Sequence, residues 1–148
     1  MRLRARFLFR PLAWASAFLL LFAPPSPAQQ PAALTFSQIV AGLSHTCALS
    51  SLGEVWCWGS NWKGQLGDGT AEDRTTPVRV QGLGSGVIAI TAGYWHTCAL
   101  DRLGRAWCWG AGGSGRLGDG RSRDSNIPSR VSVLARGLTA ITAGDGHT

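Results

Sequence analysis

The sequence predicts an all-β fold made of β-propeller blades, each blade a sheet of four antiparallel strands. Three observations predict it. One stretch recurs in a fixed register of 51 residues; Gly, Pro and Trp number 20, 7 and 7; and β-branched residues gather in short runs bounded by Gly, Asp and Ser. Self-similarity at a period of about 20 to 50 residues marks repeat architectures, and the composition rules out helical repeats.

The register is gapless. Ala41-Gly42-Leu43-Ser44-His45-Thr46-Cys47-Ala48-Leu49 returns as Ala92-Gly93-Tyr94-Trp95-His96-Thr97-Cys98-Ala99-Leu100. Trp56-Cys57-Trp58-Gly59 returns as Trp107-Cys108-Trp109-Gly110, Gly64 to Gly69 as Gly115 to Gly120, Asp73 as Asp124 and Pro77 as Pro128. A third copy opens with Ala143-Gly144-Asp145-Gly146-His147-Thr148. The repeats therefore run over about 37–87, 88–138 and an incomplete 139–148.

Ahead of them, Met1 to Arg6 carries three arginines, and Leu12 to Ala23 is an apolar run of 12 residues. That run is short for a bilayer core of about 30 Å, so it reads as the core of a signal peptide and not as a retained anchor. Small residues at Ser26-Pro27-Ala28 place the expected cleavage after Ala28, giving a signal peptide over 1–28, a linker over 29–35 and a partial propeller over 36–148. The mature chain is then expected outside the cytoplasm, whether periplasmic, extracellular or on the cell surface. Four of the 14 basic residues and none of the 8 acidic ones lie in the signal, so the formal charge falls from +6 to +2. Scattered charge of that size does not suit nucleic acid, which needs clustered phosphate contacts.

Four strands are expected per repeat, at 37–42, 45–50, 54–59 and 76–80, then near Val87, Trp95, Arg105 and Ile127. The middle pair forms a hairpin whose three-residue loop, Ser51-Leu52-Gly53, ends on a glycine able to take the left-handed conformation; Gly104 is its counterpart. That loop sets Cys47 opposite Cys57 and Cys98 opposite Cys108, at Cα separations of about 4.5 to 5.5 Å and within disulfide reach. Oxidising surroundings favour the bond, and each bridge should contribute about 2 to 3 kcal/mol by constraining the unfolded chain. Alternation puts Trp56 and Trp58, like Trp107 and Trp109, on the other face, where large rings can cover a neighbouring blade. Two blades and a stub leave outer faces bare, so further blades are expected beyond residue 148.

These motifs together resemble the regulator of chromosome condensation repeat: Ala-Gly-x-x-His-Thr-Cys-Ala-Leu, a Gly-turned hairpin, Trp-Cys-Trp-Gly, then Gly-Gln-Leu-Gly-Asp-Gly at Gly64 to Gly69. The resemblance covers about Phe36 to Thr148. It implies a propeller of typically seven blades, on the order of 357 residues. Ala111-Gly112-Gly113-Ser114 departs from Ser60-Asn61-Trp62-Lys63, and the paired cysteines are similar to those of exported bacterial variants.

Several chemically suggestive residues are repeat-phased, which favours structural roles. His45 and His96, each two residues from a cysteine, could offer zinc ligands, but the disulfide competes for the thiols and a structural hydrogen bond is the simpler expectation. Asp68, Asp119, Asp73 and Asp124 are too widely spaced for a calcium loop and read as turn carboxylates. The Gly-rich runs lack the helix and the Lys-Ser/Thr of a phosphate cradle. No unique constellation of base, nucleophile or metal marks an active site, so neither catalysis nor a cofactor is expected.

Function is expected where the copies disagree, because loops on a rigid scaffold carry recognition. Trp62 and Lys63 stand against Gly113 and Ser114, Tyr94 and Trp95 against Leu43 and Ser44, and Arg121 and Arg123 against Thr70 and Glu72. The expected function is an exported, non-catalytic, protein-binding propeller acting through rim loops on an unidentified protein. Guanine-nucleotide exchange with chromatin binding, and glycan binding at a surface, are the alternatives.

Overall fold

The computed structural model describes residues 34–132 and 137–148. The expected signal peptide, and the linker up to residue 33, lie outside the described residues. In the remainder, two four-stranded antiparallel sheets follow one another along the chain. The first is made of β1 (Phe36–Ala41), β2 (His45–Ser50), β3 (Val55–Gly59) and β4 (Arg74–Arg79), in that spatial order. The second repeats it with β5 (Val87–Ala92), β6 (His96–Asp101), β7 (Ala106–Gly110) and β8 (Ser125–Arg130).

The β2–β3 register pairs His45 with Gly59, Cys47 with Cys57 and Leu49 with Val55, as the three-residue loop dictates. Gly53 closes that loop at φ +82°, and its amide donates to the Ser50 carbonyl at 2.9 Å. Across the hairpins, disulfides join Cys47 to Cys57 and Cys98 to Cys108, with Cα atoms 4.1 Å apart in each, slightly closer than the sequence estimate.

The two sheets meet through their first strands. Gln38 on β1 brackets the backbone of Ile90 on β5: its Nε2 donates to the Ile90 carbonyl at 2.8 Å, and its Oε1 accepts from the Ile90 amide at 3.0 Å. Between the sheets lies a core of Leu49, Val55, Leu66, Val80, Ile90 and Trp109, with the Cys47–Cys57 bridge among them. Trp109 belongs to the second blade but is fully buried against the first. Its indole N–H donates to the Gln65 carbonyl at 2.9 Å, and Gly67 leaves it room, since a Cβ there would stand 2.7 Å from the indole nitrogen.

Of the tryptophan pair in the second blade, only Trp109 covers the neighbouring blade. Trp107 instead stays with its own hairpin, donating to the Asp101 carboxylate at 3.2 Å beneath the Arg105 guanidinium. Trp56 and Trp58 occupy the same positions in the first blade and are half-buried.

Candidate functional site

Because the strands are consecutive and antiparallel, the β1–β2 and β3–β4 connections emerge at one end of a blade, and the β5–β6 and β7–β8 connections at the same end of the next. That rim gathers the segments in which the repeats differ. Trp62, on the β3–β4 connection, meets Trp95, on the β5–β6 connection, with ring centroids 5.8 Å apart and planes at 70°. Tyr94 continues the cluster at 6.1 Å from Trp95 and 64°. Lys63 lies over the Trp62 ring at 4.6 Å and forms an ion pair with Asp124, at 2.9 Å, on the β7–β8 connection. Two blades thus contribute to one patch.

Trp62 and Tyr94 are 55% and 41% exposed, which is unusual for rings so closely packed, and Leu43 beside them is 55% exposed. The backbone holds them in place: the Leu43 amide donates to the Tyr94 carbonyl at 3.3 Å, and the Tyr94 amide to the Asp145 carbonyl at 3.1 Å. A hydrogen bond from the Tyr94 phenol to Asp145 raises the phenol's pKa, because the carboxylate favours the protonated donor. Burial pushes the Asp124 carboxyl upward, but the Gly112 amide and Lys63 outweigh it and hold the group below the usual range.

The structure therefore brings Trp62, Lys63, Tyr94 and Trp95 together. Arg121 and Arg123 are exposed on the β7–β8 connection at the same rim, joined to the cluster only through the neighbouring Asp124. Three further members are not partner-binding candidates in the sequence, which offers Leu43 only as the counterpart of Tyr94, Asp124 only as a turn carboxylate and Asp145 only as part of the third copy. The signal was present in the disagreement of Leu43, Tyr94 and Asp145 at one repeat position.

The repeat-phased polar residues sit elsewhere, in the seam between blades. Thr97 Oγ1 donates to the Gln65 carbonyl at 2.9 Å, so the 2.9 Å contact from His45 Nε2 must carry the proton on the imidazole. His45 Nδ1 is then a bare, buried acceptor without a partner. Burial, with His96 nearby, lowers the His45 pKa to about 4. His96 repeats the contact to Thr148 at 3.0 Å and is shifted in the same direction, chiefly by burial. Asp68 accepts from Asn61, Thr70 and Arg74, leaving it committed to its own loop. Among the described residues, no group of three or more His, Cys, Asp or Glu has metal-holding geometry.

A cleft of about 480 Å³ is walled by Ala106, Cys108, Leu117, Gly118, Val131 and Ile141. Each lies one repeat after a residue that packs against or beside Trp109: Val55, Cys57, Leu66, Gly67, Val80 and Ile90. The cleft thus repeats, one blade on, the apolar surroundings that Trp109 fills between the two described blades.

Comparison with known proteins agrees with this anatomy. Profiles of the regulator of chromosome condensation (RCC1) repeat match residues 53–100 and 104–148, and, in a second form, 36–65 and 87–116. The chain is 41% identical over 113 residues to the ultraviolet-B receptor UVR8 of Arabidopsis thaliana, covering 74% of this chain and 26% of that one. It is 37% identical over 117 residues to the probable E3 ubiquitin-protein ligase HERC3 of Homo sapiens, covering 78% and 11%. The chain thus spans about a quarter or less of these relatives. Among solved structures, Prp20p of Saccharomyces cerevisiae superposes with a TM-score of 0.62 at 23% identity, over 70% of this chain and 27% of that one. Human WBSCR16 gives 0.64 at 24%, over 70% and 27%. Those likenesses show the fold alone. The repeat profiles, which cover most of the two blades, and the identity to UVR8 show that the chain belongs to the RCC1-repeat family.

Proposed function

We propose that this chain is part of an exported, non-catalytic propeller that binds a protein through the rim on which Trp62, Tyr94 and Trp95 converge. The aromatic cluster carries the reading. Three large rings from two blades share one patch, in which Trp62 and Tyr94 are exposed and the half-buried Trp95 packs against both. Aromatic residues in such settings dominate binding energy at protein interfaces. The solved structure of Prp20p is described together with binding to Gsp1p and histones, which supports a protein-binding role for a propeller of this fold. The disulfides in both hairpins and the signal-like start of the sequence support export. Disulfides also argue against the nuclear alternative of nucleotide exchange and chromatin binding, since thiols in that compartment are kept reduced.

The test uses the full-length protein recovered from its host as bait under chemical cross-linking. Cross-linked partners that depend on Trp62 and Trp95, and persist when the hairpin-tip Leu52 is changed to Ala, support rim binding. Recovery from the reducing cytoplasmic fraction with free thiols would sink the export half of the reading.

A further inference from the structure

We propose that the rim patch docks an acidic protein segment, one that presents an apolar side chain to the aromatic cluster and carboxylates to Arg121 and Arg123. This rests on the protein-binding reading above and narrows it to one partner chemistry.

The patch is a continuous strip with a polarity. From Trp95 it passes to Trp62 at 5.8 Å, to Lys63 at 4.6 Å and to Asp124 at 2.9 Å. Arg123 immediately precedes Asp124 in the chain and Arg121 lies two residues before that, both exposed. Of the other described arginines, Arg74 pairs with Asp68 and Glu72, Arg79 with Glu54 and Arg105 with Asp101, Arg116 donates to the Gly113 carbonyl, and Arg102 and Arg130 lie toward the opposite end of the blade. Asp124 is taken by Lys63, and Asp119 accepts the Arg121 amide at 2.9 Å. Arg121 and Arg123 are left with no carboxylate partner among the described residues, on the same rim as the aromatic cluster. Guanidinium groups in that setting offer bidentate sites for carboxylates.

At the opposite end, Tyr94 is tied to Asp145, so no excess of positive charge extends there. An occupant therefore runs in one direction, with its apolar side chain over Trp62 and Trp95 and its acidic portion toward the β7–β8 connection. The ring planes of Trp62 and Tyr94 stand at 70° and 64° to that of Trp95, so the three do not make a flat shelf on which sugar rings lie in succession. That geometry favours a polypeptide over a glycan.

The test measures fluorescence anisotropy of three labelled peptides against the full chain. One has carboxylates flanking a central Leu-Phe pair, the second has lysine for each acid, and the third has alanines for the Leu-Phe pair; cellohexaose and a heparin oligosaccharide serve as glycan competitors. The acidic, apolar peptide should bind, the other two about tenfold or more weakly, and added salt should weaken it further. R121E/R123E and W62A should each lose about tenfold while keeping the circular dichroism and thermal melt of the parent, since exposed positions carry little stability. Equal binding of the lysine peptide, or an unchanged R121E/R123E variant, overturns the acidic-partner proposal yet leaves rim binding standing if W62A still loses affinity. Absence of binding by the acidic peptide up to about 1 mM also overturns it. Displacement by a glycan, with Trp62-dependent glycan binding, overturns both readings.

Discussion

A single imidazole in this fold is placed where it has a use for only one proton. His45 spends its Nε2–H on Thr97 and keeps Nδ1 in an apolar seam, so a second proton has no acceptor. Above its ordinary value of 6.5, the ring is neutral in both folded and unfolded chains and adds no pH dependence. Between 6.5 and about 4 the unfolded chain takes up a proton that the folded seam does not. Stability therefore falls as pH falls through that window, by up to about 1.4 kcal/mol per pH unit. His96, lowered as well, adds in the same sense. Urea midpoints measured from pH 8 to 4 should show this slope, and H45Q, whose amide can still donate to Thr97, should flatten part of it. Gly67 is a second such position: at φ +69° and with Trp109 at 2.7 Å from a would-be Cβ, it admits no methyl group. G67A should cost about 1 to 3 kcal/mol in urea unfolding from overpacking, whereas G82A, with open space around it, meets only the backbone penalty.

The two hairpins share a register but not their polar furnishing. In the second, the Asp101 carboxylate accepts from the Leu103 and Arg105 amides at 2.9 and 3.0 Å, from Arg105 Nε at 2.6 Å and from the Trp107 indole at 3.2 Å. Ser50 and Glu54 hold the matching places in the first, and the Trp56 indole nitrogen is buried without a partner. Transplanting the pair as S50D/E54R gives Trp56 an acceptor and should stabilise by about 1 kcal/mol in thermal unfolding. S50D alone sets two carboxylates together and should melt lower than the double variant. The loss of the Arg79–Glu54 ion pair subtracts little, because half-exposed pairs contribute about 1 kcal/mol at most. The disulfide adds a separate term: C47A/C57A should lose about 2 to 3 kcal/mol, read from the same melts.

For the molecule as a whole, the seam and the rim separate stability from recognition. Trp109 fills the space between blades and donates to Gln65. W109A should therefore cost about 3 to 5 kcal/mol. Trp62, more than half exposed, should change stability by no more than about 0.5 kcal/mol when cut to Ala. A chemical-denaturation comparison of the two, set beside partner binding, would show whether the two roles divide this way. If W62A destabilised as much as W109A, the rim cluster would be packing and not an interface. This division is also why a 480 Å³ cleft and three phased histidines, the features that most resemble a site, belong to the architecture.

Strand pairing was legible in the sequence because it is local. A glycine-closed loop of three residues and a side-chain period of two are enough to set Cys47 opposite Cys57 and to put both tryptophans on one face. The repeat itself likewise located the rim loops in which the copies diverge. Period two names a face, however, and not what lies against it. That Trp109 wedges against the preceding blade while Trp107 turns to Asp101, and that Trp62 reaches Trp95, follow from how one sheet leans on another. The direction of the His45–Thr97 bond needed the Gln65 carbonyl, which arrives from a separate loop. The sequence by itself determined the blade; tertiary packing decided which side chains the blades share, because those contacts join residues whose distance depends on the angle between sheets and on no local rule.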